Sequence, residues 1–457
     1  MRALLLASAA LLALAGAAHA DQRFEAVLEG HAILPANTLV QPPADAPADA
    51  RIAGKFAGHG NLRADTVGRF PGTTGTGANA RPTGLSFPFQ GQALQGFSGI
   101  KPLAGDPGAY WVLTDNGFGS KRNSPDALLM LHRIRPDFRT GQVAVERTIF
   151  LSDPGRQVPF RIAHEGTEPR YLTGSDFDIE SIQPVGDGFW LGDEFGPFLI
   201  HVDAEGRVRR IVETKLDGQV IRSPDHPDLQ VAATPTAGTA FRARRSGGYE
   251  GMALTPDGQS LWGLLEQPLY AEGSDKAEGQ FLRLIEFSTA KGEWTGQSLR
   301  YRLEPGATAI GDFNFIDERR ALVIERDNDE GHPSRACATG QRPPACFHAP
   351  ARHKRVYLVD LGAPDAEGFV RKIGHIDLMA IRDPEGVARQ RGDLGPDAPA
   401  DRFSFPFFTI ENVAMVDADH IIVGNDNNLP FSGGRHLSRA DDNELILLRV
   451  PELLRAR

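Results

Sequence analysis

The segment FDIESIQPVGDGFWLGDE, residues 177–194, contains two short apolar runs separated by a turn. The first run, residues 177–182, carries acidic residues within an otherwise apolar stretch, and the second, residues 189–194, ends in two carboxylates. Short β-rich runs joined by Gly, Asp and Pro are typical of antiparallel strands connected by tight turns. We interpret the segment as the first two strands of a repeated β-unit.

The same two-strand phrase occurs five times along the chain. Its first halves share a short apolar run with a polar or acidic centre: residues 96–100, 177–182, 248–252, 312–316 and 409–413. Its second halves end in carboxylates or amides: residues 111–116, 189–194, 261–267, 321–328 and 421–427. Two further strands can be drawn after each phrase except the last, and four antiparallel strands per repeat are typical of a propeller blade. We therefore predict an all-β protein, a β-propeller of five blades, with six as the alternative because the repeats are long.

The two ends of the chain bear on how the propeller closes. The last repeat runs out after residues 444–450, so we predict that residues 24–34 supply its missing outer strand. The predicted organisation is a signal peptide over residues 1–20, an N-terminal segment with the closing strand and loops over residues 21–95, and the propeller over residues 96–457.

The first twenty residues predict export. Arg2 precedes an apolar run, and Ala18-His19-Ala20 is a small-x-small cleavage signal. We expect cleavage after Ala20 and a periplasmic or secreted monomer. No run is long enough to predict a membrane span, and the formal net charge of −10 argues against a nucleic-acid partner.

The chain has two cysteines, Cys337 and Cys346. In an oxidising compartment we expect a local disulfide that pins a loop rich in Pro and Arg. A metal site is disfavoured because no second cysteine pair lies nearby.

The repeat also predicts a site, because the innermost strands of successive blades surround the propeller axis. If the first strand of each phrase is innermost, its central residues converge there: Ser98, Glu180, Glu250, Asn314 and Glu411. The ends of the second strands add further oxygen atoms: Asp115, Asp193, Glu194, Glu266, Glu325 or Asp327, Asn425 and Asp426. Carboxylates brought so close raise one another's pKa unless a cation neutralises them. Oxygen ligands without His or Cys favour Ca²⁺, so we predict an axial calcium site.

Acidic residues at strand ends have a second explanation, because Asp, Asn and Glu are also ordinary turn formers. That explanation is weaker for Glu180, Glu250 and Glu411, which lie inside apolar strands. We take these three, together with Asp193, as candidate catalytic residues.

Several of these phrases resemble the phytase-like family, also called the family with esterase-like activity of phytase. They are QGFSG at 95–99, TDNGFG at 114–119, DIES at 178–181, GDEFGP at 192–197, YEGM at 249–252, IEN at 410–412 and NDNN at 425–428. The resemblance implies hydrolysis of phosphate monoesters, inositol phosphates among them, with Ca²⁺ ions that bridge phosphate oxygens and activate a water molecule. Lys121, Arg122 and Arg326 are candidates to hold the anionic substrate, or else solvated surface charges. The chain departs from the familiar propeller phytases in having few lysines.

Two other functions fit the same pattern. One is a sugar-lactone or carboxylic ester hydrolase, in which a calcium ion at Glu180, Asn314 and Asn425 polarises a carbonyl group. The other is a non-catalytic periplasmic binding or scaffold protein with structural calcium. The spacing around Ser98 does not match a serine-hydrolase elbow, and His164-Glu165 lacks the second histidine of a zinc protease.

Overall fold

The computed structural model describes residues 22–66, 68–75, 77–232 and 240–457. The predicted signal peptide lies outside the described residues. The described part consists mainly of short strands, with one α-helix, α1 (Pro451–Arg455), and 3-10 turns at Ala48–Arg51, His59–Asn61, Gly77–Asn79 and Pro333–Arg335. None of its helices has the length and apolar character needed to cross a membrane.

The N-terminal region contributes six strands: β1 (Arg23–Phe24), β2 (Val27–Leu34), β3 (Leu39–Val40), β4 (Phe70–Thr73), β5 (Pro82–Phe87) and β6 (Gln92–Ala93). Strand β3 pairs with β6 and β4 with β5, so that these four strands form two small antiparallel sheets. A separate apolar cluster that includes Phe87, Phe89 and Phe118 packs this region against loops that follow the second strands of two later strand groups.

The rest of the chain forms successive groups of antiparallel strands. The first group is β7 (Phe97–Pro102), β8 (Tyr110–Thr114), β9 (Met130–Asp137) and β10 (Gln142–Phe150). The second is β11 (Ile179–Val185), β12 (Gly188–Asp193), β13 (Phe198–Asp203) and β14 (Val208–Glu213), followed by the hairpin of β15 (Lys215–Leu216) and β16 (Gln219–Val220).

The third group is β17 (Tyr249–Leu254), β18 (Ser260–Leu265), β19 (Leu282–Ser288) and β20 (Glu293–Tyr301). The fourth is β21 (Ala309–Phe315), β22 (Arg320–Arg326), β23 (Lys354–Asp360) and β24 (Arg371–Asp377). Two short strands, β25 (Ile381–Arg382) and β26 (Arg402–Phe403), precede the last group, which is β27 (Thr409–Met415), β28 (His420–Asp426) and β29 (Asn443–Arg449).

The N-terminal strand β2 completes the last group. It pairs antiparallel with β29, from Val27 opposite Arg449 to Leu34 opposite Asn443, which is the position that the sequence predicts for residues 24–34. The preceding strand, β1, instead pairs in parallel with β24 of the fourth group. The two ends of the chain are therefore joined by strand pairing.

The groups surround an axis, with the first strand of each group innermost. These strands contact one another in the cyclic order β7, β11, β17, β21, β27 and back to β7. Each neighbouring pair of groups shares a buried apolar cluster, such as the one in which Leu113 of the first group packs with Ile179 of the second. Face-to-face packing of this kind buries both faces of the strands near the axis. This explains why the second strand β8 is buried along its whole length and reads as a nearly continuous apolar run. The predicted all-β propeller is confirmed.

Candidate functional site

Every innermost strand contains a β-bulge near its beginning. The pairing register with the second strand skips Gly99 in β7, Glu180 in β11, Glu250 in β17, Gly311 and Asp312 in β21, and Glu411 in β27. A bulge leaves the extra residue unpaired and re-aims its side chain. The three acids in the apolar strands are therefore equivalent by backbone geometry.

The bulge positions show that the sequence phrase misaligns two repeats, those of Ser98 and Asn314, with the three that carry acids. The sequence phrase places Ser98 and Asn314 at the position of the three acids, but the register shifts fall at Gly99 and at Gly311–Asp312. Ser98 still reaches the site, since its Oγ donates to Glu411 Oε2 at 2.6 Å. The Oδ1 of Asn314 instead accepts hydrogen bonds from Lys101 and Gln183, so this side chain is not brought to the acids.

Eight carboxyl groups interact at one end of the axis, seven of them buried and Asp115 half-buried. We call them the axial carboxylate cluster: Asp115, Asp178, Glu180, Glu194, Glu250, Glu266, Glu411 and Asp426. Seven of them are predicted from the sequence. Asp178 is missed, although the spacing Asp178-Ile179-Glu180 is a usable signal, since residues two apart on a strand tend to share a face.

One guanidinium lies among these acids in the described part of the chain. Arg326 Nη2 is 3.0 Å from Glu266 Oε1, 3.5 Å from Glu411 Oε1 and 3.7 Å from Glu250 Oε1. Burial alone would lower the pKa of Arg326, but Glu266 and Glu250 outweigh it and raise that pKa above its ordinary value. The side chain is therefore a permanent cation in the cluster.

The two acids beside Arg326 face other partners. Glu325 accepts hydrogen bonds from the hydroxyl of Tyr301 at 2.6 Å and from Lys372. Asp327 lies 2.9 Å from Lys354 Nζ. Alternation along a strand sends adjacent side chains to opposite faces, so Arg326 reaches the axis and Glu325 does not. The predicted metal ligand at this repeat is replaced by a cation.

Two further predicted ligands are used in local hydrogen bonds. Asp193 Oδ1 accepts from the Asp178 N–H at 2.8 Å and Oδ2 from the Gly196 N–H at 2.7 Å, so this carboxylate shapes the turn that carries Glu194. Asn425 Oδ1 accepts from the Glu444 N–H at 2.7 Å, and its amide group donates to the Asp442 carbonyl. Both side chains are engaged in local hydrogen bonds, and a role for either as a metal ligand stays a prediction.

The cluster is electrostatically unfavourable without additional cations. Burial raises the pKa of Glu180 well above its usual range, and Asp178 and Glu411 raise it further. The pKa of Glu250 is raised by burial first and then by Glu411 and Glu266. The pKa of Asp115 is raised by burial first and then by Asp426 and Asp178. Glycine at position 96 permits this crowding, since its φ is +58° and a Cβ there would lie 2.3 Å from Asp115 Oδ1.

The geometry fits a hard divalent cation. Oxygen atoms of Asp178, Glu180 and Glu194 lie within 4.8 Å of one another. Glu194 Oε1 and Glu250 Oε1 are buried without a hydrogen-bond partner in the described residues. Buried carboxylate oxygens need a hydrogen bond or a cation, and an all-oxygen set suits Ca²⁺. The acids of the cluster could therefore hold calcium.

A second group, formed by Glu213, His226 and Asp228, fits a metal less well. Arg222 already lies 3.0 Å from Glu213 and 3.1 Å from Asp228. His226 Nδ1 accepts from the Asp228 N–H, which leaves the proton of a neutral ring on Nε2. We interpret this group as structural.

The two predicted basic residues of the Asp115 loop differ in position. Lys121 Nζ donates to the Asp225 carbonyl at 3.1 Å. Its positive charge favours the ionised forms of Asp176 and Asp225. Asp225 in turn acts on Asp178, so Lys121 lies near the Asp178 side of the cluster. Arg122 is exposed to solvent. A role for either in substrate binding stays a prediction.

A cavity of about 300 Å³ adjoins the cluster. Two of its lining residues contact the site directly: Asn328 Oδ1 accepts from Arg326 Nη1 at 2.7 Å, and the Asn428 N–H donates to Asp426 Oδ1 at 2.6 Å. Cys337 and Cys346 form a disulfide immediately before Phe347 and His348, which line the same cavity. The disulfide thus holds one wall of the cavity.

Comparison with protein families gives one match. The model of the phytase-like family, described as "esterase-like activity of phytase", matches residues 92–429. The matched region contains every member of the axial carboxylate cluster and Arg326. No curated protein matches the sequence.

Several solved structures have a distantly similar fold. A luciferin-regenerating enzyme is 10% identical, with 77% of each chain covered and a TM-score of 0.33. The periplasmic gluconolactonase of Pseudomonas aeruginosa is 14% identical, with 84% of this chain and 99% of that chain covered and a TM-score of 0.29. The PQQ-bound aldose sugar dehydrogenase of Streptomyces coelicolor is 13% identical, with 79% and 95% covered and a TM-score of 0.33. Similarity at this distance does not bear on function.

Proposed function

The chain belongs to the phytase-like family, and on this premise we propose that it is an exported, calcium-dependent hydrolase of phosphate esters that acts at the axial carboxylate cluster. One observation carries the proposal: eight carboxyl groups, seven of them buried, gather at one end of the axis with a single guanidinium among them in the described residues. A phosphate ester is an anion, so a site of this charge can hold it only together with bound cations.

Asp178, Glu180 and Glu194 are the first candidates to hold calcium, because their oxygen atoms converge and Glu194 Oε1 has no hydrogen-bond partner in the described residues. When bound, Ca²⁺ neutralises phosphate oxygens and favours the ionisation of water. Asp193 supports these ligands by fixing the backbone of Asp178 and of the turn after Glu194.

Arg326 is the candidate to bind the phosphoryl group. Its Nε is buried without a hydrogen-bond partner in the described residues, so it retains a donor for a phosphate oxygen. In hydrolysis a water oxygen bonds to phosphorus, the ester P–O bond breaks, and the leaving oxygen takes a proton. Glu180, Glu250 and Glu411 are the candidates to accept the proton of water, since all three face the axis.

The lactonase alternative depends on Glu180, Asn314 and Asn425 acting together. The hydrogen bonds of Asn314 with Lys101 and of Asn425 with Glu444 commit both amide oxygens elsewhere. The phosphate-ester function is therefore the better supported of the two. Export rests on the predicted signal peptide in residues 1–20.

The test uses mature protein with p-nitrophenyl phosphate, p-nitrophenyl acetate and a sugar lactone, each at fixed free Ca²⁺ and after chelation. Calcium-dependent release from the phosphate alone is the expected result. Release from the acetate or lactone alone would assign the protein to the ester class. Inactivity on all three, with a calcium-dependent rise in melting temperature, would instead indicate a binding or scaffold protein.

A further inference from the structure

The cavity beside the axial carboxylate cluster is positioned to receive the leaving group of the substrate, which is the alcohol released by hydrolysis. Its residues Asn328 and Asn428 hydrogen-bond to Arg326 and Asp426, so the cavity begins where the cluster ends. Its volume of about 300 Å³ lies at the small end of the range for small-molecule sites. A phosphate held at the cluster would therefore direct its ester oxygen and leaving group toward this space.

The polar groups of the cavity suit hydroxyl groups. In the described residues, Asn328 Nδ2, Asn428 Oδ1 and the Asp329 carboxylate make no hydrogen bond, although all three residues line the cavity. Together they offer one donor group and two acceptors, which is what a polyhydroxylated molecule can satisfy. Buried hydroxyl groups of a ligand need such partners.

The remaining wall is aromatic. Phe408 and Phe431 are partly exposed and line the cavity. Aromatic rings bury apolar area with little conformational entropy, and they can pack against the C–H groups of a carbon skeleton. A leaving group with both hydroxyl and C–H surface fits this combination.

The charges in the cavity disfavour additional phosphate groups. Arg81 is the one Lys or Arg among the described lining residues, and it is buried. Its Nη2 bonds to Glu330 and to the Gly433 carbonyl, and its Nη1 to the His436 carbonyl. The Asp329 carboxylate makes no ion pair within the described residues, and the cations whose charges act on it, Lys354 and Arg352, lie outside the cavity lining. It would therefore repel a second phosphate placed in the cavity. The exposed Arg342 donates to Asn79 Oδ1 at the cavity lining, so its guanidinium is also engaged.

Resting on the proposed function, we infer that the substrate is a monophosphate ester of a small uncharged polyol or sugar, and that this cavity selects it over polyphosphorylated inositols. Asp329 acts as the discriminating residue by repelling extra phosphate. Phe408, Phe431 and the two asparagines receive the carbon skeleton and its hydroxyl groups.

The test measures kcat/KM for glucose 6-phosphate and for inositol hexakisphosphate, with p-nitrophenyl phosphate as the reference substrate. Because the hexakisphosphate binds calcium, free Ca²⁺ is measured with an ion-selective electrode and adjusted to the same concentration in every assay. We expect the sugar monophosphate to exceed the hexakisphosphate by about tenfold or more. Asp329→Asn should narrow this ratio by about fivefold, as expected for removing one partly screened like charge.

Asp187→Asn is the matched control, because Asp187 is an exposed residue of the β11–β12 turn, away from the strand ends that carry the cluster. It should leave the ratio unchanged. Hydrolysis of the reference ester with equal or greater activity on the hexakisphosphate would overturn the inference and leave the proposed function intact. Absence of phosphate release from all three esters would overturn the proposed function and the inference with it.

Discussion

Arg326 is the internal counterion of the axial carboxylate cluster, lying within 3.7 Å of three of its acids. Removing one partner of a buried ion network typically costs about 3 kcal/mol or more, because charges are left uncompensated. We expect Arg326→Gln to lower the free energy of unfolding by about that amount in chelator, and by less in calcium, because bound cations then neutralise the acids.

Urea unfolding with and without calcium measures this effect. Arg139→Gln removes the same charge from an exposed hairpin and serves as the control. If Arg326→Gln in chelator is as stable as the wild type in chelator, this guanidinium does not stabilise the acids of the cluster.

Glu180 lies at a β-bulge and within 4.8 Å of two other acids. Because Glu180→Gln keeps the shape and removes the charge, we expect it to weaken calcium affinity about tenfold or more and to reduce the calcium-dependent rise in melting temperature. Titration calorimetry and thermal melts check both effects. Glu318→Gln, in an exposed turn, should match the wild type, and an unchanged calcium affinity in Glu180→Gln would remove this residue from the site.

Individual residues show how far the sequence could predict the site. An acid inside an apolar strand is an informative signal, which is why Glu180, Glu250 and Glu411 are found. The strand register decides which side chain of β22 points toward the axis, and it is Arg326 and not Glu325. The fourth repeat therefore supplies a cation where the sequence predicts an acid. Asn425 is an ordinary strand-end residue whose hydrogen bonds with Glu444 and Asp442 only the folded chain reveals.

At the scale of elements, the β-bulges position the site. Pattern alone predicts the strands, because apolar runs and turn residues are local signals. A bulge adds one residue to one strand and shifts the alignment of everything beyond it, so Asn314 could not be placed from spacing. The closing strand was predictable because the last repeat visibly lacks a partner, and β2 pairs with β29 as expected.

The closure of the ring is reinforced by a buried ion network. Glu444 of β29 lies 2.7 Å from Arg435 Nη2 and 2.9 Å from His31 Nε2 of β2. Burial would raise the pKa of Glu444, but Arg435 and His31 outweigh it and lower that pKa to about 2. The carboxylate therefore stabilises the fold at any pH above the pKa that Glu444 has in the unfolded chain. This contribution is lost as pH falls from about 4.5 to about 2.

We expect Glu444→Gln to lower the free energy of unfolding at pH 7 by about 3 kcal/mol, the value of a shift of this size. The difference from the wild type should shrink as pH falls through that window, because the wild-type carboxylate is then protonated. Urea unfolding between pH 7 and pH 2 measures the difference. Glu385→Gln, at an exposed position, is the control; a constant difference at every pH would contradict the assigned role.

At the scale of the whole molecule, the formal charge of −10 is distributed unevenly, with eight acids gathered at one end of the axis. Composition predicts an acidic protein, and the repeat predicts convergence on an axis, so fold class and the location of the site both follow from the sequence. The cavity that we propose to select the substrate is not predictable from the sequence, because it is built from loops of distant segments, such as those that carry Arg81, Asp329 and Phe431.

Calcium-dependent hydrolysis at the axial carboxylate cluster is tested most directly by the initial rate of phosphate release from p-nitrophenyl phosphate as a function of free Ca²⁺, for the wild type and Glu180→Gln. We expect no release in chelator, a saturable rise with calcium, and a curve shifted about tenfold or more to higher calcium in the variant. A rate that persists unchanged in chelator, or no release at any calcium concentration, would contradict a calcium-dependent phosphate-ester hydrolase at the axial carboxylate cluster.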